Sequence, residues 1–430
     1  MNQLQNSTKR SQIHLHDQIQ HAILNSLVVR KLVIFKLEGL DKYKRFFYSA
    51  IFIFLLSLQS LTAQYAKLYD FRADSNNNLS SPYYTNFVTD GTALYGMTSR
   101  GGTYDLGTIF KISRDGTGYQ KLLDFDGENK GSNPFGSLLL FNDSLYGMAS
   151  SGGTQDSGVI FKVNVNGGGF QKLLNFDGPN TGSYPRGSLI ISNNFLYGMT
   201  NKGGTNGVGV IFKVNINGTG FDKLFDFDGA VSGANPTGSL TQSHDTLCGL
   251  TNGGGSYGKG VFFMIKTDGS EFHNYLNFDN NLSYGGSPEG SLTLYKNRLY
   301  GMTYSGGNNG CGIIFRAKVD GLFNKLTSFN TVSFGGGYPH GSLTVVGDSL
   351  CGMTEKGGVN NKGIIFKTDL GGLTLRKLMD FNATIGANPF GSLTLIDTML
   401  YGMTKSGGIA DRGVVFSINY KGKYYTKLKE

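Results

Sequence analysis

The stretch Leu-Tyr-Gly-Met-Thr at residues 196–200 decides the fold, because it recurs along the chain together with three other landmarks. Its glycine stands at intervals of 51, 51, 51, 52, 51 and 50 residues, at Gly96, Gly147, Gly198, Gly249, Gly301, Gly352 and Gly402. A proline precedes each copy, and a glycine pair and then an apolar segment ending in phenylalanine follow it. Four landmarks with one spacing indicate a tandem repeat of about 51 residues.

Each repeat has the pattern of four short strands. In the second repeat they are predicted at Ser137–Phe141, Leu145–Ala149, Val159–Val165 and Phe170–Phe176. Gly152-Gly153 and Asn166-Gly167 lie between strands and supply the positive φ that hairpin turns require. Four antiparallel strands in each of seven repeats predict an all-β, seven-bladed β-propeller over residues 64–430.

The two ends of the repeat region both resemble the last strand of a blade. Tyr65–Phe71 matches the fourth strand in full, whereas Tyr424–Leu428 matches only part of it. One of the two segments must complete the seventh blade. The fuller match favours Tyr65–Phe71, so that the ends of the chain are joined by hydrogen bonds.

Composition agrees with this architecture and excludes some functions. The 430 residues include 65 glycines, no tryptophan, and 39 basic against 30 acidic residues. The positive charge forms no basic stripe, so nucleic-acid binding is not expected. Cys248, Cys311 and Cys351 are too few and too irregularly spaced for a disulfide framework, and we interpret them as small buried residues.

Residues 1–63 have the pattern of a leader. Basic side chains at residues 42–45 precede an apolar core at 46–58, which is short for a membrane span, and Ala63 offers a small residue for cleavage. Residues 1–41 are unusual ahead of a signal peptide, and two interpretations remain open. They are either an extension from a start codon placed too far upstream, or a cytoplasmic tail with 46–58 as a short anchor.

The repeated motif resembles the GloVer tandem-repeat family of bacterial exported proteins. The segments Leu145–Lys162 and Leu196–Lys213 are close to the family pattern, and the resemblance covers residues 65–430. It implies a β-propeller-like protein that is secreted, periplasmic or held at the cell surface. The family supplies no catalytic residues to carry over.

Candidate ligand-binding residues are sought where the repeats differ, because repeated residues serve the scaffold. The residue after each proline should lie at one mouth of the central channel, where strand a begins. These residues are Tyr83, Phe135, Arg186, Thr237, Glu289, His340 and Phe390. Aromatic, basic, acidic and imidazole groups that converge on a funnel would form a small-ligand site, but solvated rim residues are the plainer interpretation.

Signals for cofactors and metals are weak. The repeated Asp-Phe-Asp-Gly, as at 124–127, lacks the spacing of a calcium loop, and we interpret it as a turn in which Asp bonds its own backbone. Histidines and cysteines lie apart, without the spacing of a transition-metal site. We therefore expect no metal and no cofactor.

Three functions follow from this pattern. The favoured one is a monomeric, exported, non-enzymatic module that binds carbohydrate or protein. A polysaccharide hydrolase or lyase is the first alternative, and it requires Arg186, Glu289 and His340 to converge within hydrogen-bond reach. The second alternative is a purely structural cell-surface protein.

Overall fold

The repeating hairpins form seven four-stranded antiparallel sheets, which are the blades of a β-propeller. The computed structural model describes residues 65–71, 79–80, 82–319, 322–331 and 335–421. The predicted leader and the segment Tyr424–Leu428 lie outside these residues. We number the blades 1 to 7 by their landmark glycines and call their strands a to d in the order of the sheet.

The strands confirm the predicted meander to within two residues. Strands a of blades 1 to 7 are Val88–Thr89, Leu139–Phe141, Ile190–Ser192, Thr241–Ser243, Thr293–Tyr295, Thr344–Val346 and Thr394–Ile396. Strands b are Ala93–Thr98, Ser144–Ala149, Phe195–Met199, Thr246–Leu250, Arg298–Met302, Ser349–Thr354 and Met399–Met403. Strands c are Thr108–Ser113, Val159–Asn164, Val210–Asn215, Val261–Lys266, Ile313–Lys318, Ile364–Asp369 and Val414–Asn419. Strands d are Gln120–Asp124, Gln171–Asn175, Asp222–Asp226, His273–Asn277, Phe323–Ser328, Arg376–Asp380 and, in blade 7, Tyr65–Asp70.

Two further strand pairs lie outside the blades. They are Leu79–Ser80 with Arg100–Gly101, and Gly336–Gly337 with Lys356–Gly357. No helix occurs in the described ranges, so no helix there is long and apolar enough to cross a membrane.

The N-terminal strand closes the ring, as the fuller sequence match predicted. Tyr65–Asp70 pairs antiparallel with Val414–Asn419, the third strand of the last blade. The backbone N–H of Phe71 extends the pairing by donating to the Gly413 carbonyl at 3.1 Å. Blade 7 therefore contains both ends of the described chain, and the pairing protects the edge that an open array would expose.

Strand b has a glycine because strand c places a phenylalanine ring over it. Gly147 pairs directly with Phe161 across the two strands, and a Cβ atom at this glycine would lie 2.5 Å from the ring. The same pair recurs in blade 4, where a Cβ at Gly249 would lie 2.3 Å from Phe263. The landmark glycine and the landmark phenylalanine of the repeat are therefore one packing unit.

The core lies between neighbouring blades. One cluster contains Tyr95 and Ile109 of blade 1 with Leu145 and Phe161 of blade 2, all buried. Because each blade buries one face against the next, no blade can complete its core alone, and the whole ring is the stable unit.

Candidate functional site

The start of strand a lies closest to the channel, where backbones of adjacent blades meet. A Cβ at Gly136 would lie 2.1 Å from the Gly187 carbonyl oxygen of the next blade, so only glycine fits there. The serine after this glycine accepts a backbone hydrogen bond from the preceding blade, as when the Ser137 N–H donates to Ser188 Oγ at 2.7 Å. This contact repeats between blades and fixes the residue just before the glycine at the mouth.

The seven mouth residues share one position, twelve residues before the landmark glycine. The set is Tyr84, Phe135, Arg186, Thr237, Glu289, His340 and Phe390. It differs from the prediction only in blade 1, where Tyr84 holds the position that was assigned to Tyr83. Pro82 lies 14 residues before Gly96, whereas each of the other six landmark prolines lies 13 residues before its glycine. The first repeat therefore has one extra residue between its proline and its glycine, and this shift indicates that Tyr84 takes the mouth position.

Tyr84 reaches across the mouth from blade 1 to blade 5. Its hydroxyl donates to Glu289 Oε2 at 2.5 Å, and burial, reinforced by Glu289, raises the pKa of the phenol above its ordinary value. Its ring also meets Phe135, His340 and Phe390 at centroid distances of 6.4, 5.8 and 5.6 Å. The backbone of Tyr84 is left-handed, with φ 52°, a conformation that is strained for a bulky residue and is held by these contacts.

His340 joins two carboxylates beneath Tyr84. Its Nδ1 lies 2.6 Å from Glu289 Oε2 and its Nε2 lies 3.1 Å from Glu355 Oε2. The imidazole is 6% exposed and stacks on Phe390 at a centroid distance of 3.8 Å. Burial opposes its protonation, but the hydrogen bonds to Glu289 and Glu355 outweigh burial and raise the pKa of His340. His340 in turn lowers the pKa of Glu355, so the cluster is a charged network.

A second set of residues surrounds the mouth, three residues after each landmark glycine. It comprises Ser99, Ser150, Asn201, Asn252, Tyr304, Glu355 and Lys405. In the first blades this position carries small polar side chains, and Asn201 Nδ2 donates to the Pro236 carbonyl at 3.1 Å. In blades 5 to 7 it carries larger groups, and Tyr304 and Glu355 both contact His340. The sequence analysis did not single out this set, although the change from small to larger side chains at one position of the repeat is visible in the sequence.

The remaining predicted residues line the other parts of the mouth. Arg186 lies over the Phe135 ring, with 5.4 Å between the guanidinium carbon and the ring centre. Thr237 Oγ1 donates to the Glu289 carbonyl at 2.9 Å. Tyr83 packs on Phe390 at a centroid distance of 4.8 Å. The structure thus brings all seven predicted residues together, with Glu289 and His340 in direct contact and Arg186 against an aromatic ring.

The channel below the mouth is narrow. A cavity of about 50 Å³ lies there, lined mainly by the glycine and serine residues that open strand a. Pockets for small organic ligands enclose about 300 Å³ or more, so this cavity has room for water and not for a sugar ring. A larger ligand must lie over the mouth.

The acidic turns bond their own backbones, as predicted for Asp-Phe-Asp-Gly. Asp126 Oδ1 accepts from the N–H groups of Asn129 and Lys130 at 3.1 and 2.8 Å. Asp124, the other acid of the motif, accepts from the N–H and the hydroxyl of Thr103. These carboxylates order the loops around the mouth.

The three cysteines are buried and unpaired, as the sequence analysis interpreted them. Burial raises the pKa of the Cys248 and Cys351 thiols to about 12. Neither thiol is therefore a ready nucleophile. No group of three His, Cys, Asp or Glu residues within the described ranges could hold a metal ion.

Comparison with protein families agrees with the repeat. The model described as Gloeobacter/Verrucomicrobia repeat matches residues 47–256 and 246–430. The chain belongs to the Gloeobacter/Verrucomicrobia repeat family. No curated protein matches the sequence.

Among solved structures, this Gloeobacter/Verrucomicrobia repeat protein is similar to the extracellular domain of the putative one component system BT4673 from B. thetaiotaomicron. The TM-score is 0.54 at 12% identity, over 85% of this chain and 41% of that one. It is also similar to a puromycin-hydrolyzing peptidase of Mycobacterium tuberculosis, with a TM-score of 0.53 at 13% identity, over 82% of this chain and 56% of that one. At such low identity both similarities show the fold alone.

Proposed function

We propose that this protein is an exported, non-enzymatic binding module that holds a carbohydrate or protein ligand at the mouth of the channel. The observation that carries the proposal is the broken symmetry of the mouth. The scaffold repeats in every blade, but the residues that face the opening differ from blade to blade and contact one another. A rigid ring that presents varied side chains at one opening is suited to recognition.

The chemistry of the cluster favours binding over catalysis. Both ring nitrogens of His340 bond carboxylates of the protein, so a substrate would have to displace one of these bonds before it could exchange a proton with the imidazole. The raised pKa of Tyr84 keeps its hydroxyl protonated, and that hydroxyl is already bonded to Glu289. These bonds fix the shape of the mouth and leave its edges to contact the ligand.

A polysaccharide-active enzyme is the second candidate. The 2.6 Å contact between His340 and Glu289 favours it, because a paired imidazole and carboxylate can serve in acid–base catalysis. The position of Arg186 against Phe135 weakens it, since the enzyme hypothesis requires all three groups to converge. Incubation of any bound polysaccharide with the protein, followed by analysis of chain length, decides between the two.

Export is part of the proposal. It is supported by membership of the repeat family and by the leader pattern of residues 1–63. Expression of the full chain followed by separation of cytoplasm, envelope and medium tests it. Recovery in the cytoplasm alone would contradict export.

The first test of binding is a glycan and peptide screen on the purified full chain. Any ligand found is measured again with Arg186→Ala and Glu289→Ala, and with Lys296→Ala as the control on the opposite face. We expect both mouth variants to weaken binding by at least about tenfold and the control to leave it unchanged. A screen without ligands would favour the purely structural alternative, and a ligand that all three variants bind as tightly as the wild-type protein would contradict a site at the mouth.

A further inference from the structure

Four cations beside the mouth lie on aromatic rings. They are Arg186, Lys202, Lys356 and Lys405. Their partners, with the distance from the charged group to the ring centre, are Phe135 at 5.4 Å, Tyr184 at 5.1 Å, Tyr338 at 5.1 Å and Phe390 at 4.5 Å. Such contacts hold a cation in place without neutralising its charge.

Backbone pairing places Lys202 and Lys356 on the same face as the mouth residues Arg186 and His340. Lys202 pairs with Ser183, three residues before Arg186, and Lys356 pairs with Gly337, three residues before His340. Lys405 belongs to the second set around the mouth and lies over Phe390. The four cations therefore surround the opening.

None of the four forms a salt bridge within the described part of the chain, whereas nearby carboxylates have protein partners. Glu289 and Glu355 both bond His340. In the connections that lead to the mouth, Asp177 and Asp228 accept hydrogen bonds from their own loops. Lys356 and Lys405 lie close enough to Glu355 to lower the pKa of its carboxyl, but none of the four cations is paired within the described residues, so each can still bind an external anion.

Their arrangement fits a ligand with repeated charges. Arg186 and Lys202 belong to blade 3, and Lys356 and Lys405 belong to blades 6 and 7, so the two pairs lie on different sides of the ring. A ligand that contacts both pairs must extend across the opening, and the channel of about 50 Å³ below it is too small to admit a sugar ring. A chain that lies across the mouth could contact both sides.

We infer that the ligand of the mouth is an acidic polysaccharide, whose carboxylate or sulfate groups pair with Arg186, Lys202, Lys356 and Lys405. This inference rests on the proposed binding function and names its ligand class. The half-buried rings of Tyr83, Tyr84 and Phe135 provide apolar surfaces for sugar faces between the charged contacts. Guanidinium and ammonium groups supply the donors that carboxylates and sulfates require.

The test compares acidic and neutral forms of the same glycan. Binding of the full chain to polygalacturonate and to its fully methyl-esterified form, and to carboxymethyl-dextran and dextran, is measured by calorimetry at low and high salt. We expect the acidic form of at least one pair to bind more tightly than its neutral form by about tenfold, and added salt to weaken that binding.

Substitutions of the cations test where the polysaccharide contacts the protein. Arg186→Gln with Lys405→Gln removes one cation on each side of the mouth, and we expect affinity to fall about tenfold. Lys266→Gln with Lys296→Gln is the matched control, because it changes the net charge equally at a strand end and a turn on the opposite face. Lys405→Arg should retain binding. Melting curves of all variants show whether the fold is kept.

The outcomes separate the two proposals. Equal or tighter binding of the neutral glycans would overturn the acidic ligand and leave the binding module standing. Absence of binding to every glycan would overturn this inference, while a peptide ligand from the screen would still support the binding module. Equally tight binding of polyglutamate or of a single-stranded DNA oligonucleotide would overturn the assignment to carbohydrate.

Discussion

At the residue scale, the repeat is maintained by pairs in which one residue leaves space for another. Gly249 of strand b lies beneath the ring of Phe263 of strand c, and both positions recur in every blade. The glycine is therefore required by the volume of the neighbouring ring. Its backbone φ is not in the left-handed region, so conformational freedom is not the reason.

Gly249→Ala should lower the free energy of unfolding by about 1–3 kcal/mol, because the added methyl group meets a ring that is fixed in the core. Gly253→Ala in the same blade is the control, since its nearest atoms would be 3.8 Å from the new Cβ. Chemical denaturation of the two variants measures the difference. Equal stability would contradict the proposed packing unit.

His340 should make stability depend on pH. The folded protein raises the pKa of this imidazole above the ordinary value of 6.5, so the folded state holds the proton more tightly than the unfolded state. The resulting stabilisation is complete below pH 6.5 and is lost as the pH rises through the pKa of the folded state. Carboxylates of Glu289 and Glu355 face the ring, together with the Tyr304 phenol.

Comparison of the wild-type protein with His340→Gln tests this dependence. The difference in unfolding free energy between the two proteins should be larger below pH 6.5 and smaller at alkaline pH. Urea denaturation over a range of pH measures it. A difference that stays constant, or that grows with rising pH, would show that the imidazolium does not stabilise the fold.

At the element scale, the start of strand a serves two purposes. Its serine accepts a hydrogen bond from the neighbouring blade, and its preceding residues form the mouth. This explains why the structure begins the second strand a at Leu139, two residues after the predicted start. Ser137 bonds the neighbouring blades through its N–H and its hydroxyl oxygen. Ser137 and Leu138 therefore precede the pairing with strand b, which begins at Leu139.

Ser239→Ala should lower the free energy of unfolding by about 1–2 kcal/mol, because the Ser188 N–H loses its acceptor at 2.7 Å. Ser270→Ala, in an exposed turn, removes the same group without an interblade contact and should change stability by less than about 0.5 kcal/mol. Thermal unfolding of both variants measures the effect. A loss of stability in Ser270→Ala alone would contradict a role for the serine ring.

At the scale of the whole molecule, closure joins the two ends of the described chain. Tyr65–Asp70 completes blade 7, and Phe71 at its end is fully buried. Deletion of Tyr65–Phe71 should lower the melting temperature by at least about 5 °C, because it opens one sheet edge and removes part of a core. Deletion of Tyr424–Glu430 is the control, since the outer position of blade 7 is already occupied. A larger fall in melting temperature for the deletion of Tyr424–Glu430 than for the deletion of Tyr65–Phe71 would contradict this closure.

Most positions of the candidate site could be predicted from the repeat in the sequence. Six of the seven mouth positions follow from counting residues after the proline, and the seventh follows from counting back from the landmark glycine. Tyr304, Glu355 and Lys405 could have been found as breaks in symmetry. Their contacts could not, because they depend on which blades become neighbours around the ring.

The sequence alone determined the number of blades, the strands and the turns, and it favoured Tyr65–Phe71 over Tyr424–Leu428 as the segment that closes the ring. Those features follow from local spacing, from hydrophobic pattern and from turn residues that act within about 51 residues of one another. The tertiary structure alone decided that His340 lies between Glu289 and Glu355, that Tyr84 crosses the mouth, and that the four cations beside it form no salt bridge within the described residues. The contacts of Tyr84 join residues separated by up to about 300 positions, and only closure of the ring brings them together.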